Sequence, residues 1–351
     1  MVAATTDVPT TQRAAVNKSF GHTATLETIA VKTPASDEVL VHITHTGVCH
    51  TDLHALEGDI PTPLPLVGGH EGVGIVVQLG DKVTNVKLGD RVGVNYIWSS
   101  CGTCDYCLEG DFQVCRTLGM GGIHVDGTFQ EYQIAKAAYV VPIPDNVSDV
   151  DAAPILCAGV TVFRGLKDTN CQPGQFVAIV GAGGGLGHLA TQYAKAMGFR
   201  VVAIDAGAAK EALTKSLGAE IFIDVAQSKN LVEDVVKATN GGVQGALIVA
   251  TNQSAFSTAP YYLRPTGTMV CVGAPKDGKL EVILGVAIIR RLTLKGSILG
   301  SRNDMKMAMD FVARGLVVPH IEVCGLSEIN SVYERMRKGE IAGRVVLDTT
   351  K

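Results

Sequence analysis

Three residues of this chain could share one metal ion and leave a coordination position open. They are Cys49 in GVCHTD (47–52), His70 in GGHEG (68–72) and Cys157 in ILCAG (155–159). Two thiolates and one imidazole make a zinc site whose fourth position is free for a substrate, whereas four protein ligands close the site and only staple the fold. Asp52 could hold the second ring nitrogen of His70 as an outer-shell carboxylate, and Glu71 could reach the metal when substrate is absent. A second cluster, Cys101, Cys104, Cys107 and Cys115, has the spacing of a closed, structural zinc site. Free surface thiols and a redox CxxC are the other readings of those four cysteines.

A different chemistry is carried by the glycine-rich turn Gly181, Gly183, Gly184, Gly185, Leu186 and Gly187. It follows the apolar run FVAIV (176–180) and opens a helix-like stretch, the context in which such a turn cradles a dinucleotide pyrophosphate. Its spacing is GxGxxxG, one residue longer than the common fingerprint. Asp205 ends the next strand-like run. A carboxylate there accepts bonds from the adenosine ribose and repels a 2′-phosphate, favouring NAD over NADP, unless it merely caps a helix. An open zinc beside a dinucleotide turn points to metal-assisted hydride transfer.

The elements that must position these groups change character near Asp151. Before it, EVLVHIT (38–44) alternates apolar and polar residues, GVGIVVQL (72–79) is strand-like, and glycine turns separate short strands, as in a small β-rich barrel. After it, strands and helices alternate: strand 175–180, helix 186–197, strand 200–204, helix 209–217, strand 220–224, helix 231–239, then strands 246–250 and 268–273. That order predicts a parallel sheet covered by helices. Beyond residue 300, two amphipathic helices and a last strand at 343–347 are expected to return to the first domain. The expected division is 1–158 with 299–351, and 159–298, with a flexible start over 1–15.

Composition narrows the field. The chain has 351 residues, 46% hydrophobic, with a net charge of −4. Such a chain has no electrostatic case for nucleic acid and no apolar run of the roughly 20 residues a membrane helix needs. No secretory apolar core lies at the start. Nine cysteines, four of them crowded together, fit a reducing, cytoplasmic compartment better than a disulfide framework.

The stretches GVCHTDLHA (47–55), LPLVGGHEG (64–72), CGTCDYC (101–107), APILCAGVTV (153–162) and LATQYAKAMGFRVVAID (189–205) make the chain resemble the zinc-dependent medium-chain alcohol dehydrogenases, yeast and fungal tetrameric branch. The resemblance runs from about Gln12 to Lys351. It implies an α/β fold: a GroES-like β-rich catalytic domain plus a Rossmann doubly wound parallel sheet. It implies two zinc ions per subunit, NAD and a homotetramer. Cys49, His70 and Cys157 would bind catalytic zinc, and the four-cysteine loop structural zinc. Thr51 would pass on the alcohol proton, His50 and Arg344 would flank the cofactor pyrophosphate, Asp205 and Lys210 would meet the ribose, and Thr161 would lie near the nicotinamide. His50 and Lys210 could instead be solvated charges.

The chain departs from that branch in three places. Glu57 occupies the outer end of the proton relay, where a histidine is usual; glutamate ordinarily titrates near ~4.3 and so accepts protons poorly at neutral pH. Ile60, Tyr96 and Ala274 replace bulkier walls of the alcohol pocket, which implies room for substrates larger than ethanol. The loop between Glu57 and His70 is about two residues shorter. The nearest rival reading is a polyol or secondary-alcohol dehydrogenase of the same superfamily. A zinc-free reductase is disfavoured by the cysteines, and a non-catalytic protein by the ligand set together with Thr51 and Asp205.

Overall fold

The computed structural model describes residues 8–21, 23–275 and 277–351, which divide into two compact units. The first holds the described residues up to Cys157, Ser301–Ala313 and Ile321–Lys351; the second holds Ala158–Gly300 and Arg314–His320. Sequence reading placed all of 299–351 with the first unit. Residues 314–320 go instead with the second, because Gln192 bonds both the N–H and the carbonyl of Val318 (2.8 and 3.0 Å).

The first unit is built on strand Glu38–Val48, which pairs antiparallel with Gly72–Leu79, Tyr132–Lys136 and Arg344–Asp348. Its alternation buries Val39, Val41 and Ile43 completely. The same unit holds a three-stranded antiparallel sheet in the spatial order Thr25–Ala30, Thr11–Asn17, Leu66–Val67. Strand Thr11–Asn17 begins inside the stretch 1–15 expected to be a flexible start, and there Ala14 and Ala15 are fully buried; residues 1–7 lie outside the described residues. Helix His50–Glu57 follows the central strand directly. Leu53 and Leu56 point from it into a cluster with Val48, Ile329, Val332, Tyr333 and Val345. Each fully buried leucine there stabilises by about 1.5–3 kcal/mol, so the helix is fixed by one apolar face.

The second unit is a six-stranded, wholly parallel sheet. Its spatial order is Ile221–Asp224, Arg200–Asp205, Phe176–Val180, Val243–Ile248, Leu263–Cys271, Thr293–Gly296. In order of appearance this is 3-2-1-4-5-6, the doubly wound arrangement, whose switch point lies between the first and fourth strands. Val177, Ala178 and Ile179 are fully buried, as a strand covered on both faces requires. The sequence did not single out helix Gln253–Tyr262, which contains Pro260, or helix Leu284–Arg290.

Candidate active site

Strand pairing brings the first unit's ligands together. Thr46 pairs with Gly72 and the Gly47 N–H donates to the Glu71 carbonyl (3.1 Å), so the residue after one strand and those before its neighbour meet at one sheet end. Val345 pairs with Val48, which puts Arg344 at the same end. Cys157 sits at the break between the 3₁₀ turn Ala153–Leu156 and helix Ala158–Asp168. Ligand atoms of Cys49, His70, Glu71 and Cys157 all lie within 4.8 Å of one another. A Cβ on residue 47 would stand 1.9 Å from Glu71 Oε2, so glycine there is what makes room for the carboxylate.

Asp52 fixes the histidine. One oxygen accepts the Cys49 backbone N–H (2.9 Å) at the start of the helix; the other lies 2.8 Å from His70 Nδ1. A carboxylate can only accept, so Nδ1 carries the proton and Nε2 faces the ligand cluster. His70 is fully buried, and among the described residues its Nε2 has no hydrogen-bond partner. The same holds for Glu71 Oε2, while Arg344 Nη2 holds Glu71 Oε1 at 2.5 Å. Buried polar atoms without partners are costly. Two converging here, beside two thiols, fit a zinc ion with sulfur, nitrogen and oxygen donors.

The electrostatics agree. Burial alone would lower His70, but the Asp52 carboxylate and the Cys49 sulfur outweigh it and hold the imidazole well above its ordinary value. Contact with Cys157 holds the Cys49 thiol well below its ordinary value, and the same contact pushes Cys157 well above. Burial raises Glu71 to about 7 against the pull of Arg344. These are groups crowded around a space for positive charge.

The four-cysteine loop forms a second cluster within 4.8 Å. Sulfur separations are 3.6 Å for Cys101–Cys115 and 3.9 Å for both Cys101–Cys107 and Cys104–Cys115. A tetrahedron of Zn–S bonds has edges of about 3.8 Å. Backbone N–H groups of Thr103 and Cys104 lower the Cys101 thiol to about 5, so it is ready to bind as thiolate. All nine cysteines are unpaired thiols.

Around the open cluster, Thr51 Oγ1 lies 3.6 Å from Cys49 Sγ. The Tyr96 ring meets His70 edge-on at 5.3 Å. Burial, with Cys157 and Cys49 nearby, raises the Tyr96 phenol and keeps it neutral. Ile60 is half-buried just beyond the helix, its N–H 3.4 Å from the His54 carbonyl. His50 is exposed, 6.4 Å ring to ring from His54. Glu57 Oε1 accepts from Arg337 Nε at 2.7 Å, on the helix Ile329–Arg337, while a Glu57 carboxylate oxygen, a His54 ring nitrogen and an Asp59 oxygen lie within 4.8 Å of one another. Sequence reading missed His54, although it stands three residues after Thr51 and therefore on the same helical face. It also missed Arg337, for which no local signal exists 280 residues away. Arg344, expected at the cofactor, is buried against Glu71.

In the second unit the glycine turn follows Val180 at the switch point. Gly181 has φ +87°, and a Cβ on Gly187 would lie 2.0 Å from the Gly181 carbonyl oxygen, so helix and turn approach too closely for any side chain there. Asp205 is not a helix cap; Gly207 holds that position. Its Oδ2 accepts the Gly183 N–H (2.8 Å), and its Oδ1 accepts the Ala206 N–H and Lys210 Nζ (both 2.8 Å). The carboxylate is thus anchored beside the turn, with Gly184, Gly185 and Leu186 leading into helix Gly187–Ala196. Thr161 is buried on helix Ala158–Asp168, and Ala274 is exposed after strand Leu263–Cys271.

Comparison with known proteins agrees with both halves. The profile of the alcohol dehydrogenase GroES-like domain matches residues 35–145, and that of the zinc-binding dehydrogenases matches 185–314. The chain is 47% identical to an alcohol dehydrogenase of Schizosaccharomyces pombe, over 98% of this chain and 99% of that one. It is 46% identical to alcohol dehydrogenase 1 of Emericella nidulans, over 97% and 99%. Among solved structures, the alcohol dehydrogenase of the archaeon Aeropyrum pernix superposes with a TM-score of 0.88 at 32% identity, covering 96% and 99%. The acetophenone reductase of Geotrichum candidum, in complex with NAD, gives 0.86 at 29% identity, covering 97% and 98%.

Proposed function

This chain belongs to the zinc-binding alcohol dehydrogenases, fungal branch, and from that premise we propose that it transfers hydride reversibly between a primary alcohol and NAD, giving an aldehyde and NADH. The observation that carries the reading is the convergence of two buried, unpartnered atoms, His70 Nε2 and Glu71 Oε2, on the thiols of Cys49 and Cys157. When bound, zinc supplies Lewis acidity that lowers the alcohol's pKa or polarises a carbonyl, and NAD supplies the hydride acceptor.

The chain's own residues do the rest. Cys49, His70 and Cys157 would hold the metal, with Asp52 keeping His70 in the tautomer that presents Nε2. Glu71 is clamped on one oxygen by Arg344, and its other oxygen would be available to the metal. Thr51 accepts the alcohol proton through its hydroxyl. The next group along that helical face is His54, steadied by Asp59 at 3.0 Å, and we assign it the outward step. Glu57 pairs with Arg337 and so helps to fix the helix end. His50 meets the pyrophosphate and Thr161 the nicotinamide, while Asp205 and Lys210 favour NAD over NADP.

Tyr96, Ile60 and Ala274 in place of bulkier walls extend the substrates to longer, branched or aromatic alcohols, and secondary alcohols to ketones. Absorbance of NADH, followed with an alcohol panel and both cofactors before and after chelation, tests the reading. Catalytic efficiency should hold or rise from ethanol to butanol and benzyl alcohol, depend on NAD, and vanish with the metal. A steady fall along that series would defeat the wider pocket, and equal use of NADP would defeat the role of Asp205.

No helix among the described residues is long and apolar enough to cross a membrane. The unpaired thiols support a cytoplasmic location, which cell fractionation would test by recovery of the protein outside sealed organelles. We assign the assembly as a homotetramer. Supporting it, Ile283, Leu284, Ile288 and Ile289 are 63–84% exposed along one helix beside the edge strand Thr293–Gly296.

A further inference from the structure

His188 is fully buried at the second position of helix Gly187–Ala196, directly after the glycine turn. Both ring nitrogens are engaged with backbone. Nδ1 lies 3.2 Å from the Gly184 carbonyl oxygen, and Nε2 lies 3.1 Å from the His320 backbone nitrogen. The chemistry of these partners admits a single assignment. A carbonyl oxygen only accepts, so Nδ1 must carry the proton; a backbone N–H only donates, so Nε2 must offer its lone pair. The ring is therefore neutral and held in its Nδ1–H tautomer.

The Gly184 carbonyl already accepts the His188 backbone N–H (3.0 Å), the ordinary bond of a helix's first turn. The ring adds a second donor to the same oxygen. In a planar trans peptide the carbonyl and the following N–H point in opposite directions. Two donors pulling the Gly184 carbonyl into the helix therefore aim the Gly185 N–H out of it, toward the place where a helix start binds phosphate. The ring's tautomer is set in turn by residues 314–320, which Gln192 grips at Val318 one turn further along the same face.

We propose that His188, latched by the His320 N–H, is a positioning residue for the cofactor pyrophosphate: it fixes the peptide plane of the glycine turn. The proposal rests on the reading of this turn as the NAD site. It also gives Val318–His320, far from the turn in sequence, a share in cofactor affinity.

The test uses the zinc-loaded protein, NADH fluorescence titration and ¹⁵N-histidine NMR. In wild type, NADH binds and the His188 ring shows the Nδ1–H tautomer. H188N places an amide N–H near the Nδ1 position and should recover NADH affinity to within about twofold. H188Q reaches toward His320 but cannot serve the Gly184 carbonyl, and should bind NADH about fivefold more weakly, the ratio a single neutral hydrogen bond is worth. H320P deletes the latching N–H, and should shift the ring toward the Nε2–H tautomer and weaken NADH. In these variants KM for NAD should rise while kcat at saturating NAD changes less. If H320P fails to fold, the contrast between H188N and H188Q still decides. Equal NADH affinity for H188N and H188Q, or an Nε2–H ring in wild type, overturns the proposal. A wild type that binds no NADH overturns the dinucleotide reading instead, and the tautomer, which needs no cofactor, then still tests the latch.

Discussion

Asp52 joins two tasks in one side chain: it accepts the Cys49 N–H and orients His70. The spacing that permits this is three residues along a helix start, and it was legible in the sequence, as were Cys49, His70 and Cys157 as a set. The fate of Glu57 was not legible, because its partner Arg337 comes from the far end of the chain. Thr51, His54 and Glu57 follow one another at three-residue steps along one helix, and Glu57 in addition pairs with Arg337 on the C-terminal helix. With Glu57 also held by Arg337, the pH profile of alcohol oxidation should change more in H54Q than in E57Q. Replacing Thr51 by Ala should cost about 10²–10⁴-fold in kcat, the ordinary worth of a positioned proton carrier. A changed profile in E57Q with an unchanged one in H54Q would return the relay to Glu57.

The buried face of helix His50–Glu57 helps to keep Thr51 and Asp52 in register. Leu56 is fully buried among residues of the C-terminal helix and strand. Leu56→Ala should lower stability by about 2–5 kcal/mol in denaturant titration, and should also lower kcat, since the helix then loses the surface that fixes its rotation. A destabilised variant with wild-type kcat would show that the helix is held by its Cys49 end alone. At this scale the alternating strands and helices of residues 175–239 were readable from their periods. The helix Gln253–Tyr262 was not, because Pro260 and its small polar residues carry neither a clear apolar stripe nor a strong start signal, though Asn252 does cap it. The strand Thr11–Asn17 was missed for a related reason. Polar Gln12 and Arg13 hide its pattern, and Gln12 is buried through a hydrogen bond to Gln130.

For the whole molecule, the two kinds of metal cluster differ in what surrounds them. The four-cysteine loop is closed by its own sulfurs and backbone, while the open cluster is completed by residues from three separate stretches of chain. The assembly is a separate matter. An apolar helix exposed to this extent is expected to be covered by another copy. Light scattering should give a particle four times 36.8 kDa, and Ile289→Glu should reduce it. A wild-type monomer would contradict that assignment.

In the proposed reaction Cys49, His70 and Cys157 would hold one zinc whose open position does the chemistry, and the four-cysteine loop another that does not. Zinc content measured beside NADH formation in His70→Ala tests this most directly. Wild type should carry two zinc ions per chain, and the variant one zinc, an unchanged fold by circular dichroism and no alcohol oxidation. A variant that keeps both zinc ions, or that still oxidises alcohol with one, would contradict it.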